Sequence, residues 1–251
     1  SACVRCSRAS RASSAARHVS RNTVADIVVD GLRRAGTPRF LCAADEASSP
    51  LCAAAWATGM PVTVASGDAA ACVMASVAGD LVDAPGAALV GPPDNTTDAF
   101  TFVARAQADR AALIVFTQRH PSAVPACKAS LGVTVETAAH WIAHASRLAM
   151  TEPRGPVHLD IPADVAGRPA IPLATSCRPD PLPYPDARAL DAAGGLLTRA
   201  SRPLLLAGLH CRRAAAAQWL RALAEALPAP LLTTPRGKGA LPDPHPLTLG
   251  V

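Results

Sequence analysis

Two residue pairs have the spacing of metal ligands, but each lacks part of the motif that a metal site needs. Cys3 and Cys6 form a C-x-x-C pair, and a zinc site built on such a pair needs a second pair nearby, which the sequence does not supply. His140 and His144 would lie one turn apart on a helix, but Trp141 stands where zinc peptidases carry glutamate. We therefore expect no metal site in this chain.

Nucleophile and nucleotide motifs are also incomplete. Ser122, Ser130 and Ser176 lack the strand–turn–helix context of a nucleophile elbow, so a hydrolase reaction has no anchor. Gly208 follows an apolar run, but the residues after it do not complete a G-x-G-x-x-G motif. His158 falls inside another apolar run and is interpreted as a core histidine.

The composition is that of a globular chain without nucleic-acid or membrane partners. Half of the 251 residues are hydrophobic and 17% are charged, which is enough apolar surface to bury a core. Aromatic residues make up 3%, too few for the stacking platforms that bind single strands. Residues 1–22 hold five arginines and no acid, so this segment supplies the net charge of +5 and the remainder is close to neutral. No apolar stretch of about 18 residues is free of charge and proline, so no membrane span is expected.

The Ser- and Arg-rich segment 1–22 has the composition of an organelle transit peptide. The alternative is a disordered leader, or upstream codons read as protein, and this is the interpretation we favour. The six cysteines beyond this segment are scattered singly among apolar or small residues, as reduced thiols of cytosolic proteins are. We expect a cytoplasmic protein.

Short apolar runs alternate with helical patterns along residues 23–166. Thr23 and Asp26 resemble a capping box and Gly36 is a helix stop, which predicts an amphipathic helix between them. Further helices are predicted over 50–58, 68–82, 96–108 and 134–150, and strands over 40–43, 61–65, 87–90, 112–116 and 157–161. This alternation predicts an α/β fold, a parallel sheet with helices on both faces. Ligands of such sheets bind beyond the C-terminal ends of the strands, so the loops after residues 43, 65, 90 and 116 are the candidate site.

Composition shifts divide the chain into four segments. They are a tail (1–22), an α/β domain (23–166), a Pro-rich linker (167–187) and a second α/β unit (188–251). In the second unit, helices are predicted over 190–200 and 214–227, and strands over 203–207 and 230–233. Two short strands make a poor domain, so we expect this unit to be part of a larger one.

Three stretches are specific enough to compare with a known family. Residues 151–165, TEPRGPVHLDIPADV, and 236–250, RGKGALPDPHPLTLG, resemble segments of thiamine-diphosphate enzymes of the acetolactate synthase large-subunit type. Residues 109–117, DRAALIVFT, look like that family's strand after its glycine loop. The resemblance runs from Thr23 to Val251. It implies that 23–166 is the pyrimidine-binding domain and that 188–251 is a truncated, Rossmann-like α/β central domain.

The resemblance implies a reaction that depends on one carboxylate. In the family, a glutamate after the second strand hydrogen-bonds the pyrimidine ring of thiamine diphosphate, which activates the cofactor for decarboxylation and carboligation of 2-keto acids. Matching Val73-Met74-Ala75 to the family's His-Met-Ala puts Asp68 at this position, as the candidate catalytic residue. Aspartate is one methylene shorter, about 1.5 Å of reach, and geometry decides whether an acid–base group can act. Alternatively, Asp68 is only an acid at a helix N-terminus, where the helix dipole favours it.

Three loops that face the cofactor in the family differ here. The family's first glycine turn corresponds to residues 42–46, its second glycine loop to 92–95, and its Thr-Gly-Gln segment to 117–119. The implied cofactor-binding residues are Ala44, Asp45, Asp68, Pro93, Asp94, Asn95 and Gln118. Glycine permits positive φ and close backbone approach, which the substituted residues do not. Relaxed selection on catalysis, or a changed substrate, would leave such a pattern.

The family binds the diphosphate and Mg²⁺ in a third domain, through a Gly-Asp-Gly motif that this sequence lacks. We therefore expect thiamine diphosphate to find half of its site here, and Mg²⁺ to bind only together with that C-terminal domain. Some relatives bind FAD in the central domain, but nothing in this sequence supports it. The expected partners are a second copy, in a homodimer or tetramer, or a separate chain that carries the diphosphate-binding domain.

Two functions are open at this point. The chain is the N-terminal part of an acetolactate-synthase-like enzyme acting on 2-keto acids, inactive alone, or a non-catalytic homologue that serves as a dimerisation or partner-binding scaffold. The altered loops favour the scaffold, and the retained 236–250 motif favours the enzyme. The apolar helix 68–82 is the candidate dimer face.

Overall fold

The computed structural model describes residues 22–91, 97–118, 124, 126–181, 183–242 and 244–251. The chain forms two compact units, the first up to Asp180 and the second from Pro181 to Val251. The boundary between the two units therefore lies inside residues 167–187, the segment that the sequence predicts as a linker.

The first unit alternates strands and helices. Its strands are β1 (Phe40–Ala43), β2 (Val62–Ala65), β3 (Gly86–Leu89), β4 (Leu113–Thr117), β5 (Ser130–Gly132) and β6 (Pro156–Asp160). Its helices are α1 (Val24–Ala35), α2 (Pro50–Ala57), α3 (Asp68–Val82), α4 (Thr97–Ala108), α5 (Ala138–Met150) and α6 (Ala163–Ala166).

All six strands form one parallel sheet in the order β2-β1-β3-β4-β6-β5. This confirms the predicted α/β fold. The chain runs from β1 to β2 on one side and then crosses to β3 on the other side of β1. Connections that leave in opposite directions open a crevice at the C-terminal ends of β1 and β3, which is where ligands of doubly wound sheets bind.

Helices cover both faces of the sheet because successive side chains of a strand point to opposite faces. Phe40 and Phe116 pack in a core with α1, α2 and α5, whereas Leu41 and Val115 pack with α3 and α4. Strands β1, β3, β4 and β6 are buried along their whole length, as expected of strands with both faces covered.

Helix α1 follows the predicted signals closely. Thr23 and Asp26 form the capping box, and Gly36 ends the helix with φ of 90°, a conformation that glycine adopts without strain. A Cβ atom on Gly31 would lie 2.7 Å from Cγ1 of Ile142, so the missing side chain is what lets α1 approach α5 closely.

The predicted helix 134–150 is wrong at its N-terminal end, since α5 begins at Ala138. The Thr134 hydroxyl donates to a carboxylate oxygen of Glu136 at 2.8 Å, and the Thr134 N–H donates to the Thr137 hydroxyl at 2.9 Å. Such local side-chain bonds compete with the helical pattern and form a turn instead. Strand β5, which precedes this turn, was not predicted because Ser130-Leu131-Gly132 contains one apolar residue and so shows no apolar run.

The chain beyond α6 stays in contact with the first unit. Pro169 forms an antiparallel bridge with Thr23. Further along, Arg34 donates to the Thr175 carbonyl at 2.6 Å and Arg147 to the Ser176 carbonyl at 2.9 Å. The Pro-rich segment is therefore attached to α1 and α5 as far as Ser176.

The second unit contains a three-stranded parallel sheet in the order β7-β8-β9. Its elements are α7 (Ala187–Arg199), β7 (Leu205–Ala207), α8 (Ala214–Ala226), β8 (Leu231–Thr233) and β9 (Thr248–Gly250). Strand β9 was not predicted. Leu206 and Leu249 are exposed in the sheet, and α7 buries none of its residues. The core of this unit is small and is centred on Ala207, Leu231 and Leu241.

The six cysteines of the described ranges are unpaired thiols: Cys42, Cys52, Cys72, Cys127, Cys177 and Cys211. Burial raises the pKa of Cys42 and Cys72 to about 12, so these thiols stay protonated and unreactive at neutral pH. Within the described part of the chain, no helix combines the length and the apolar character that crossing a membrane requires.

Candidate functional site

A cavity of about 400 Å³ lies at the C-terminal ends of β1 and β2. Its walls are formed by Ala43, Ala44, Asp45, Ser66, Gly67, Asp68, Ala69 and Ala70. These residues come from the turn after β1 and from the start of α3. The cavity thus lies at the edge of the sheet where the sequence placed the site, and Ala44, Asp45 and Asp68 line it together.

Asp68 is the first residue of α3 and connects this helix to the loop after β3. Its Oδ1 accepts a hydrogen bond from the backbone N–H of Gly91 at 3.0 Å. Burial raises the pKa of the Asp68 carboxyl, the Gly91 N–H lowers it and the negative charge of Asp45 raises it. An acid whose pKa is raised by burial in a cavity is a candidate for proton transfer.

Asp45 and Glu46 lie in the 3-10 turn Ala44–Glu46, which follows β1 directly. Asp45 is exposed and Glu46 is half-buried. A Cβ atom on Gly91 would lie 3.5 Å from Asp68 Oδ2 and 3.7 Å from Glu46 Oε1, so this glycine stands between two carboxylates. The sequence did not single out Glu46 or Gly91. Glu46 does fall in the run that corresponds to the family's first glycine turn, which was the available signal.

Gln118 is not brought into this cavity. Gln118 follows β4, is buried and does not line the cavity; its Nε2 has no hydrogen-bond partner in the described part of the chain. Pro93, Asp94 and Asn95 lie outside the described residues.

A chain of four hydrogen-bonded side chains crosses β4, β6 and β5. The Thr117 hydroxyl donates to Asp160 Oδ1 at 2.5 Å and lies 2.9 Å from His158 Nε2, and His158 Nδ1 contacts the Ser130 hydroxyl. Thr117 has one hydroxyl hydrogen, so its oxygen must accept from His158 Nε2–H, which leaves Nδ1 to accept from Ser130. Burial lowers the pKa of His158 to about 4. The interpretation of His158 as a hydrogen-bonded core histidine is confirmed.

The two histidines of α5 stack on each other, with ring centroids 6.2 Å apart. Among the residues that the structure describes, no three His, Cys, Asp or Glu side chains are grouped so that they could hold a metal ion. Cys3 and Cys6 lie outside those residues.

A second cavity, of about 260 Å³, lies within the second unit at the C-terminal end of β8. It is lined by Thr233, Lys238, Gly239, Leu241, Thr248, Gly250 and Val251. Thr248 Oγ1 is buried without a hydrogen-bond partner in the described part of this unit. This cavity offers one cationic side chain and two hydroxyl groups.

Two family models match the chain. Residues 22–134 match the thiamine pyrophosphate enzyme N-terminal TPP binding domain, and residues 190–251 match the thiamine pyrophosphate enzyme central domain. Together these ranges cover more than half of the chain. The chain belongs to the thiamine pyrophosphate enzymes, as the resemblance implied, and it contains sequence of their N-terminal and central domains.

Individual relatives differ in the reactions that their names give. The chain is 31% identical to mouse 2-hydroxyacyl-CoA lyase 1 over 202 residues, which is 72% of this chain and 35% of the lyase. It is 35% identical to the acetolactate synthase large subunit of Corynebacterium glutamicum over 117 residues, 44% of this chain and 18% of that subunit. The crystal structure of benzoylformate decarboxylase from Polynucleobacter necessarius superposes with a TM-score of 0.75 at 22% identity, covering 91% of this chain and 46% of that one. The chain thus spans about a third of the lyase and less than half of the decarboxylase.

Proposed function

We propose that this chain supplies the pyrimidine-binding half of a thiamine-diphosphate site in an acetolactate-synthase-like enzyme that acts on 2-keto acids. The observation that carries the proposal is the position of Asp68. Its carboxyl lines a cavity at the edge of a doubly wound sheet, and the Gly91 N–H fixes one of its oxygens.

The charges of the cavity suit the ring end of the cofactor and not its diphosphate. Two carboxylates, Asp45 and Asp68, line it together with small residues, and no lysine, arginine or histidine does. Such a lining repels an anion and favours a cationic or hydrogen-bonding heterocycle. A volume of about 400 Å³ is within the range of small-ligand sites.

Each part of the chain has a limited task in this proposal. Bound thiamine diphosphate would supply the carbon nucleophile that attacks the keto acid. Asp68 would hold a proton at a ring nitrogen, and Ala44 and Ala69 would leave room for the ring. Pro93, Asp94, Asn95 and Gln118 stay proposed cofactor-binding residues on the resemblance alone.

The diphosphate and Mg²⁺ would then be bound by a domain outside the described residues or by a separate chain. We keep FAD out of the proposal, because the cavity of the second unit offers a lysine and two threonines but no feature specific to a flavin.

The proposed partner at α3 is a second copy of the chain. Val73, Met74, Val77 and Leu81 are exposed along one side of this helix, and Leu81 is 73% exposed. Asp80 is the only charged residue between positions 69 and 82, whereas surface helices normally turn a charged face to water. Because α3 begins at the cavity, a copy docked on it would lie next to the site.

A calorimetric titration tests the proposal. The wild-type chain is titrated with thiamine, and with thiamine diphosphate plus Mg²⁺, alongside Asp68→Ala and the matched control Asp30→Ala. Asp30 is an exposed aspartate of α1 that forms a surface ion pair with Arg34. Loss of a hydrogen bond to a charged or polarised group weakens binding about tenfold or more in Asp68→Ala, while Asp30→Ala binds like the wild type. Equal affinities of Asp68→Ala and the wild type would remove Asp68 from the site.

The same titration also tests the alternative function, a non-catalytic scaffold. The exposed Asp45 in the turn after β1 and the exposed apolar side of α3 favour that function. A chain that self-associates through α3 but binds neither thiamine nor thiamine diphosphate would support the scaffold and contradict the enzyme.

A further inference from the structure

We infer that Asp45 is a positioning residue of the cavity: its carboxylate stabilises the protonated form of Asp68, which is the form that can donate a hydrogen bond to a ring nitrogen of the bound heterocycle. This inference rests on the proposed function, since it assigns a role within the same site. Asp45 falls in the run 42–46, which corresponds to the first glycine turn of the family.

The sheet register brings the two carboxylates to one cavity. Strands β1 and β2 are parallel neighbours, and Ala43 is paired with Ala65 at their C-terminal ends. Asp45 follows the first of these residues by two positions, and Asp68 follows the second by three. Both side chains line the same cavity, and one of its walls is the helix start that Asp68 itself forms.

The hydrogen bond from Gly91 decides which oxygen of Asp68 can carry the proton. Oδ1 accepts the backbone N–H at 3.0 Å and therefore serves as an acceptor. Oδ2 makes no such bond to Gly91 and borders the space beside this glycine, where Glu46 Oε1 also lies. A proton on Oδ2 thus leaves the hydrogen bond from Gly91 to Oδ1 intact.

Burial and one neighbouring negative charge favour the protonated form of Asp68, and one hydrogen bond opposes it. Asp45 and Glu46 come from the turn after β1, and Cys72 lies one turn further along α3. Burial and the Asp45 charge raise the pKa of Asp68, and only the Gly91 N–H lowers it. None of the residues that line the cavity carries a positive charge that would hold Asp68 ionised.

A protonated carboxyl and an ionised one select different ligands. A protonated Asp68 donates to an unprotonated ring nitrogen, such as that of an aminopyrimidine. The Asp45 carboxylate adds a negative charge that attracts a cationic ring, such as a thiazolium. Binding of thiamine, which contains both rings, should therefore weaken as the pH rises through the pKa of Asp68.

The test removes the charge of Asp45 and keeps its shape. The Asp68 carboxyl carbon is titrated by ¹³C NMR in the wild type, in Asp45→Asn and in the remote control Asp30→Asn, without ligand. Thiamine affinity is then measured for the three proteins across the same pH range. Asp45 is exposed on a surface turn, so its amide variant should fold like the wild type.

We expect Asp45→Asn to lower the Asp68 titration midpoint by about half a pH unit or more. The pH at which thiamine binding is half lost should fall by the same amount, and Asp30→Asn should change neither. An Asp68 midpoint, or a thiamine-binding midpoint, that is the same in Asp45→Asn and the wild type overturns the inference. Absence of thiamine binding to the wild type at every pH overturns the proposed function instead, and the ligand-free titration shows separately whether the two carboxylates are coupled.

Discussion

Asp68 and His158 are both titratable groups removed from water, but burial shifts their pKa values in opposite directions and their surroundings differ. Asp68 faces a cavity and a neighbouring carboxylate, and burial raises its pKa. His158 lies inside the sheet with both ring nitrogens engaged, and burial lowers its pKa to about 4. In the proposed function the first group exchanges a proton with a ligand, whereas the second is neutral at physiological pH and supports the strands around it.

The neutral His158 makes stability depend on pH. The imidazole of an unfolded histidine has a pKa near 6.5, whereas that of His158 in the folded chain is about 4. Between about pH 6.5 and pH 4, therefore, the unfolded chain binds a proton at this residue and the folded chain does not. Stability contributed by this group is complete above about pH 6.5 and falls by roughly 3 kcal/mol as the pH drops to about 4. Urea unfolding of the wild type and His158→Gln at several pH values measures the difference. Parallel pH profiles of the two proteins would contradict this assignment.

Thr117 links the hydrogen-bonded side chains of the sheet, because its hydroxyl both accepts a hydrogen bond from His158 and donates one to Asp160. Thr117→Val keeps the shape and removes both bonds, which should cost about 1–3 kcal/mol of unfolding free energy. Thr63→Val is the matched control, since the Thr63 hydroxyl accepts only an exposed bond from Arg39. Chemical unfolding measures the free energy of unfolding of both variants. Equal losses of unfolding free energy in the two would show that the hydrogen bonds of Thr117 add no stability.

The sequence located some of these residues and missed others for a physical reason. Apolar runs predicted the loops after residues 43 and 65, and the family resemblance then implied Asp45 and Asp68 as the site residues within or beside them. Glu46 and Gly91 were missed as members of the site because their proximity to Asp68 depends on β1 lying between β2 and β3. Hydrophobic periodicity predicts strands, but it does not order them in a sheet.

Helices with explicit end signals were predicted closely, whereas the three-residue strands β5 and β9 were not predicted. The predicted boundaries of α3 agree with the structure, and α1 has the predicted cap residues at both ends. Strands β5 and β9 have three residues each and include glycine. Such segments become strands through pairing with a neighbour rather than through their own side-chain pattern.

Two glycine-to-alanine substitutions in helices should have opposite effects. In α1, a Cβ on Gly31 meets the branched side chain of Ile142 at 2.7 Å, so Gly31→Ala should destabilise the first unit by about 1–3 kcal/mol. In α7, a Cβ on Gly194 meets no atom within 4 Å. Gly194→Ala should therefore stabilise the second unit by about 0.5–1 kcal/mol, through helix propensity.

Differential scanning calorimetry of both variants checks this pair of predictions. The alanine in α7 is the control for the intrinsic preference of a helix for alanine over glycine. A Gly31→Ala protein that unfolds at or above the wild-type temperature would mean that α1 and α5 can separate without loss, and would contradict the close packing of these two helices.

In the described part of the chain, helix α3 leaves an apolar surface uncovered. One side of α3 exposes Val73, Met74, Val77 and Leu81, while its other side packs on the sheet and on α4. The same helix starts with Asp68, which lines the cavity. The exposed side of α3 and the cavity therefore belong to one region of the surface. Self-association at this helix and ligand binding at its first residue should therefore influence each other.

A single charge at the centre of this surface tests self-association. If a second copy covers α3, Val77→Lys buries an unpaired ammonium group at the contact and should convert the dimer into monomers at micromolar concentration, a loss of about 2 kcal/mol or more of association free energy. Ala53→Lys is the matched control, because it places the same charge on an exposed position of α2, on the opposite face of the sheet. Sedimentation velocity over a concentration series distinguishes the states. A wild type that stays monomeric, or a Val77→Lys chain that dimerises as well as Ala53→Lys, would contradict self-association through α3.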